Sequence, residues 1–232
     1  MMLQLIDRRR KIFFYLILFF FLSTQITKDK DIQINSISNI KTIEVTGLSE
    51  KNNLLVFQSL KFLTTKNIFL INKSEFQNIL KNNNLIESFY IKKIYPNLIK
   101  VKINQTKLLA ITKKDGKNFL IGANGKLISF NQIETSYDGL PFVYAKQNYF
   151  DFIQLKNIIE KSDFKFEQIE SFYYFPSNRW DIKTKDGFLI KLPEQDIEES
   201  LQFASLLKKH EKFKDKKIID LRIPNNILLS NE

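Results

Sequence analysis

At 232 residues, with 44% hydrophobic and 26% charged side chains, the chain has enough apolar surface for one large or two small cores and is not a disordered polymer. It holds no cysteine and a single histidine, His210, which excludes a disulfide scaffold, thiol catalysis and a histidine-rich metal site. The net charge of +11 is interspersed with acids, as in Lys28-Asp29-Lys30-Asp31 and Lys113-Lys114-Asp115, so it marks no nucleic-acid face.

Arg8, Arg9, Arg10 and Lys11 lead directly into an unbroken apolar run from Ile12 to Leu22. A soluble amphipathic helix keeps polar residues on its water side, and this run has none; lipid is the solvent that suits it. A bilayer core needs roughly twenty residues. Ser23 to Ile26 lengthen the run, and Arg10, Lys11 and Lys28 can snorkel to the two interfaces. Three readings stay open: an uncleaved anchor, a cleaved secretory signal and a buried core helix. Thr24-Gln25-Ile26-Thr27 offers no small-residue cleavage step, which favours the anchor. Its lipid-facing residues are Ile12, Phe13, Phe14, Leu16, Phe19, Phe20 and Leu22. The cations before the run keep the N-terminus cytoplasmic and send the bulk of the chain across the membrane. Residues 1–11 are then a cytoplasmic tail, 12–27 the anchor and 28–39 a polar linker.

Ile43 and Val45 alternate with Thr42 and Glu44 as a strand that Gly47 closes. Asn53 is placed to cap a helix with Leu54, Phe57, Leu60 and Leu63 on its inner face. A short strand over Ile68–Ile71 follows. Asn72 and Glu75 form a capping-box pattern ahead of a second helix with Phe76, Ile79 and Leu80 inward. Ile86–Ile94 and Leu98–Ile103 flank the turn Tyr95-Pro96-Asn97 as two strands. Beyond residue 108, Phe119–Ile121 and Lys126–Ser129 make a hairpin, and Gly139-Leu140-Pro141-Phe142-Val143 starts another extended segment. Phe152–Lys161 reads as a helix. Ile169–Tyr174, Trp180–Thr184 and Gly187–Leu192 read as consecutive antiparallel strands, and a helix from about Glu194 to Lys209 carries acids first and bases last. The final strand, Lys217–Ile223, has Ile219, Leu221 and Ile223 inward and Ile218, Asp220 and Arg222 outward, and reads as a sheet edge stopped by Pro224.

The strand, helix, short strand, helix, strand, strand order of residues 40–107 resembles a POTRA domain. Val45-Thr46-Gly47 and Ile94-Tyr95-Pro96-Asn97-Leu98-Ile99-Lys100-Val101 are most similar to the FtsQ/DivIB family of cell-division proteins. Trp180-Asp181-Ile182, Gly187, Leu192-Pro193 and Ile219-Asp220-Leu221-Arg222-Ile223-Pro224 resemble that family's C-terminal β domain, here residues 108–232. Gln105-Thr106-Lys107-Leu108-Leu109 and Gly122 depart from the family pattern. The resemblance implies an α+β chain: a single transmembrane helix, a POTRA-like domain and an antiparallel β domain with flanking helices. It also implies a septal scaffold of the inner membrane whose partners are FtsB and FtsL, docked by strand addition at the last strand. Ile218, Asp220, Arg222 and Ile223 are the contact residues it suggests. A second reading is a POTRA protein of envelope assembly or secretion that receives extended peptides.

No catalytic motif stands out: there is no G-x-S-x-G, H-E-x-x-H or P-loop run. His210 sits where a helix C-terminus is expected, and Asp186-Gly187 reads as turn chemistry. The expectation is therefore a non-enzymatic protein with no cofactor, metal, small-molecule substrate or nucleic acid.

Overall fold

The computed structural model describes residues 8–24, 38–134, 136–145, 149–210, 217–223 and 226–231. The linker expected over 28–37, the extension through Ile26 and the strand stop at Pro224 lie outside these residues. The first element is the helix α1, Arg8–Thr24, whose residues from Lys11 to Ser23 are exposed on every side.

Beyond α1 the chain divides into two compact units. One takes in residues 38–46, 54–79 and 90–102 along with α1; the other takes in 47–53, 80–89 and everything described from 103 onward. Strand β1, Thr42–Thr46, runs parallel to β3, Leu98–Gln105, with Ile43 opposite Ile99 and Val45 opposite Val101. Strand β2, Ile86–Ile94, completes a three-stranded sheet in the order β1-β3-β2. Ile99, Val101 and Ile103 are all buried, as the alternation requires.

Helix α2, Glu50–Leu60, begins three residues before the expected cap. The Asn52 N–H reaches the Ser49 hydroxyl, and Asn53 instead exchanges two hydrogen bonds with the Leu48 backbone. The buried face is correspondingly Asn52, Val56, Leu60 and Leu63, and Leu54 is exposed. The strand expected over Ile68–Ile71 is absent: Lys61–Thr65 continues as a 3-10 turn, Asn67 makes one bridge to Asn39, and residues 68–70 turn back. With Ile68 and Ile71 buried and Phe69 and Leu70 exposed, the segment never presents a strand's alternate faces. Helix α3, Lys73–Leu80, buries Phe76 and Leu80 as expected.

The second unit is built on a nine-stranded sheet in the order β12-β11-β10-β9-β8-β7-β4-β5-β6. Its strands are β4 Leu108–Lys114, β5 Lys117–Gly122, β6 Leu127–Ser129, β7 Phe142–Tyr144, β8 Ile169–Phe175, β9 Arg179–Thr184, β10 Leu189–Lys191, β11 Ile218–Asp220 and β12 Leu228–Ser230. The sheet is mixed rather than antiparallel, because β7 is parallel to β4 and β8, and β10 is parallel to β11. Parallel neighbours need a crossover, and two helices supply it for the β7–β8 and β10–β11 pairs. Helix α4, Phe150–Lys161, connects β7 to β8, and α5, Ile197–Lys209, connects β10 to β11.

Both crossovers pack on one face. Phe152, Leu155 and Ile159 of α4 and Leu201 and Ala204 of α5 share a core with Val143, Phe172, Trp180, Ile182, Ile190 and Ile219 of the sheet. The hairpin between β4 and β5 turns on Asp115-Gly116, both at positive φ, which is the geometry an Asp-Gly pair supplies most cheaply.

Candidate functional site

The register of the second sheet sets the site. Val143, Phe172, Ile182, Ile190, Ile219 and Leu229 lie in one row across six strands and face the helices. The adjacent row, Tyr144, Tyr173, Asp181, Lys191, Asp220 and Leu228, therefore faces the other way. Ile218 stands on that same face, in register with Leu189 and Ser230.

Asp220 faces away from the core as the sequence suggests, yet it is buried, at 8% exposure. Arg222 covers it. The Arg222 Nε donates to Asp220 Oδ1 at 2.8 Å, Nη2 donates to Oδ2 at 2.5 Å, and the Arg222 backbone N–H adds a bond to Oδ1 at 3.1 Å. The bonded guanidinium holds the Asp220 carboxyl below the usual carboxylate range, and Asp220 in turn raises Arg222. Asp181, one row-mate away across Lys191, is pushed up by burial against the pull of Lys191 and Arg222.

Two features of this region differ from the sequence expectation. Residues 218–220 do not form the sheet edge, because β12 pairs antiparallel with β11 and takes that place. The strand also ends earlier than expected: Leu221 is buried, but Ile223 is 53% exposed rather than inward. The short apolar run Ile227-Leu228-Leu229 is the one local hint of the extra strand. Arg222 and Ile223 line a cleft of about 740 Å³ together with Glu194, in the segment that leads into α5, and Glu199 and Phe203 of α5 itself. The sequence reading did not place α5 at the site.

On β12 the Ser230 carbonyl accepts the Lys217 N–H at 3.0 Å. Successive residues of a strand point their backbone groups to opposite edges. The Leu229 N–H and C=O consequently point away from β11, where no further strand lies among the described residues. Leu228, beside it, is 58% exposed.

The family model described as cell division protein FtsQ/DivIB, C-terminal, matches residues 110–222, and that for the POTRA domain, FtsQ-type, matches residues 38–104. The cell division protein FtsQ of Rickettsia bellii is 33% identical over 188 residues, 80% of this chain and 70% of that protein. The chain belongs to the FtsQ/DivIB family of cell division proteins. The FtsQ of Rickettsia conorii is 29% identical, over 68% of this chain and 59% of that protein. The FtsQ of Bradyrhizobium diazoefficiens is 26% identical, over 65% and 44%. The chain thus spans less than two thirds of these two relatives. A solved extracytoplasmic domain of DivIB from Geobacillus stearothermophilus aligns with 47% of this chain and 97% of its own at TM-score 0.33 and 11% identity, a likeness too slight to build on.

As an FtsQ/DivIB member the chain carries a POTRA unit followed by a β domain, and its role lies in cell division. The anchor residues Ile12, Phe13, Phe14, Leu16, Phe19, Phe20 and Leu22 are all exposed on α1. At 17 residues α1 is about 26 Å long. Among the described residues no helix is long and apolar enough to cross a membrane. No group of three or more potential metal ligands occurs among them either.

Proposed function

We propose that the chain is a non-catalytic division scaffold, anchored in the cytoplasmic membrane by its N-terminal apolar helix with the bulk of the protein in the periplasm. There it holds FtsB and FtsL at the septum. FtsB adds a strand to β12, and the observation that carries this is the outward-pointing backbone of Leu229 at the end of a nine-stranded sheet. Main-chain bonds supply the register. Side-chain selectivity comes from the neighbouring groups: exposed Ile223 and Leu228, half-buried Ile218, and the Asp220–Arg222 pair, whose guanidinium retains donors facing outward.

The mechanism needs no active site. A scaffold of this kind works by occupancy, and the geometry supplies a rigid edge whose inner face is locked into the core by Ile219 and Leu229.

Co-purification of full-length protein with FtsB and FtsL tests the reading. Leu229→Pro removes the outward donor and is expected to abolish recovery of both partners. Arg222→Glu is expected to weaken it at least tenfold. Retention of both partners by both variants, with the protein folded, would exclude docking at this edge.

A further inference from the structure

The first unit carries an exposed apolar tip that the division reading does not use. Phe69, Leu70 and Tyr95 are 61%, 76% and 56% exposed, and the Phe69 and Tyr95 rings stack with centroids 4.8 Å apart and planes 16° apart. Large exposed apolar side chains gathered in one place mark an interaction surface.

Backbone bonds put this tip at the end of the unit where the chain enters. The Ile68 N–H donates to the Ser38 carbonyl at 2.9 Å, the Ile40 N–H to Lys66 at 3.1 Å, and the Lys41 N–H to Asn97 at 2.9 Å. Ser38 is also the point of the unit nearest along the chain to α1: residues 25–37 span at most about 50 Å even when fully extended.

The charges around the tip select one kind of surface. Between residues 61 and 79 the cations are Lys61, Lys66 and Lys73, and the one carboxylate, Glu75, is already paired with Lys66. Lys93, whose Nζ donates to the Ile71 carbonyl at 2.7 Å, and exposed Lys41 add to the same end. Aromatic rings with a cationic rim fit the headgroup region of an anionic bilayer, where rings settle at the interface and each lysine gains from the surface potential.

We propose that the Phe69–Leu70–Tyr95 tip rests in the headgroup layer of an anionic membrane, so that the first unit has a second, non-covalent hold on the bilayer that α1 enters. The inference rests on the anchor reading for the presence of that bilayer. Contact at two points fixes the tilt of the first unit against the membrane, which a single tether leaves free.

The chain has no native cysteine, so single spin labels report cleanly. Full-length protein carrying a label at Leu70→Cys, Lys102→Cys or Leu18→Cys is reconstituted in phosphatidylethanolamine–phosphatidylglycerol vesicles, dilute enough that copies do not meet. Collision with oxygen is then compared with collision with a water-soluble nickel chelate. The Leu70 label is expected to favour oxygen over the chelate several-fold more than the Lys102 label, which stands four residues up β3 from Leu98. Adding Phe69→Ser and Tyr95→Ser, both at exposed positions, is expected to abolish that excess, as is replacing phosphatidylglycerol with phosphatidylcholine. A Leu70 label as chelate-accessible as the Lys102 label overturns the proposal. If the Leu18 label is then in lipid, the anchor reading survives alone; if it is also in water, both fall.

Discussion

Asp220 and Arg222, two residues apart at the end of β11, hold each other through two side-chain bonds of 2.8 and 2.5 Å, with the carboxylate beneath and the guanidinium above. The Asp220 side chain is 10% exposed and the Arg222 side chain 36%. Arg222→Ala therefore uncovers a carboxylate that burial has partly desolvated. Bonds to charged groups contribute about 1.5–3 kcal/mol and fully exposed ion pairs about 0–1 kcal/mol, and the partial exposure of Arg222 puts the expected loss between the two, about 1–2 kcal/mol. Urea unfolding checks it, with a lower midpoint and an unchanged slope.

The two carboxylates of this row have opposite pH signatures. Asp220 titrates below its unfolded value, so its contribution is complete above the ordinary aspartate range and is lost as pH falls through the depressed folded value. Asp181 is raised by burial, so its ionised form costs stability as pH rises through and above the ordinary range. Asp181→Asn is expected to raise the melting temperature at neutral pH and to have no effect below the ordinary aspartate range. An equal gain at every pH would contradict the assignment.

Gly47 has φ of +112°, and a Cβ built on it would stand 1.8 Å from the Ile103 carbonyl oxygen. Both the backbone angle and the space exclude a side chain. Gly47→Ala is expected to cost at least about 2 kcal/mol, or to prevent folding, as read by thermal unfolding of the purified variant.

The anchor makes its own prediction. Phe14→Lys with Leu18→Lys places two cations in the middle of α1, each costing about 2.5–3.5 kcal/mol in a bilayer. The double variant is expected to move from the alkali-resistant membrane fraction to the supernatant. Retention in the membrane would mean that α1 is not what holds the protein there.

Much of this was legible in the sequence where a pattern had a single physical meaning. The alternation of Ile99, Val101 and Ile103 could only be a strand with one buried face, and Gly47 read as the end of β1, although the carbonyl that denies it a side chain comes from Ile103, far along the chain. What escaped detection depended on distant partners. Ile68–Ile71 is as apolar as a strand, but its neighbours are turn residues and it has no ladder to join. The strand β4 was missed although Asp115-Gly116 is a strong hairpin signal, because Lys113, Lys114 and Lys117 made the segment read as charge. The parallel pairings of β7 and β11 follow from how α4 and α5 cross the sheet, and no local pattern encodes that. At the site, Asp220 and Arg222 were placed on the outward face correctly, but the sheet edge was not: β12 arises from three residues, Leu228–Ser230, whose pairing to β11 is set by tertiary context.

The central claim, that the β12 edge receives a partner strand, is tested most directly by hydrogen exchange on the full-length protein in lipid discs, with and without the extracytoplasmic segments of FtsB and FtsL. Exchange slows when an exposed amide gains a strand partner. The account predicts new protection at Leu229 and its neighbours in β12, with little change in the already bonded amides of β9 and β10, and loss of that protection in Leu229→Pro. Binding of the partners with β12 exchanging as before would contradict it.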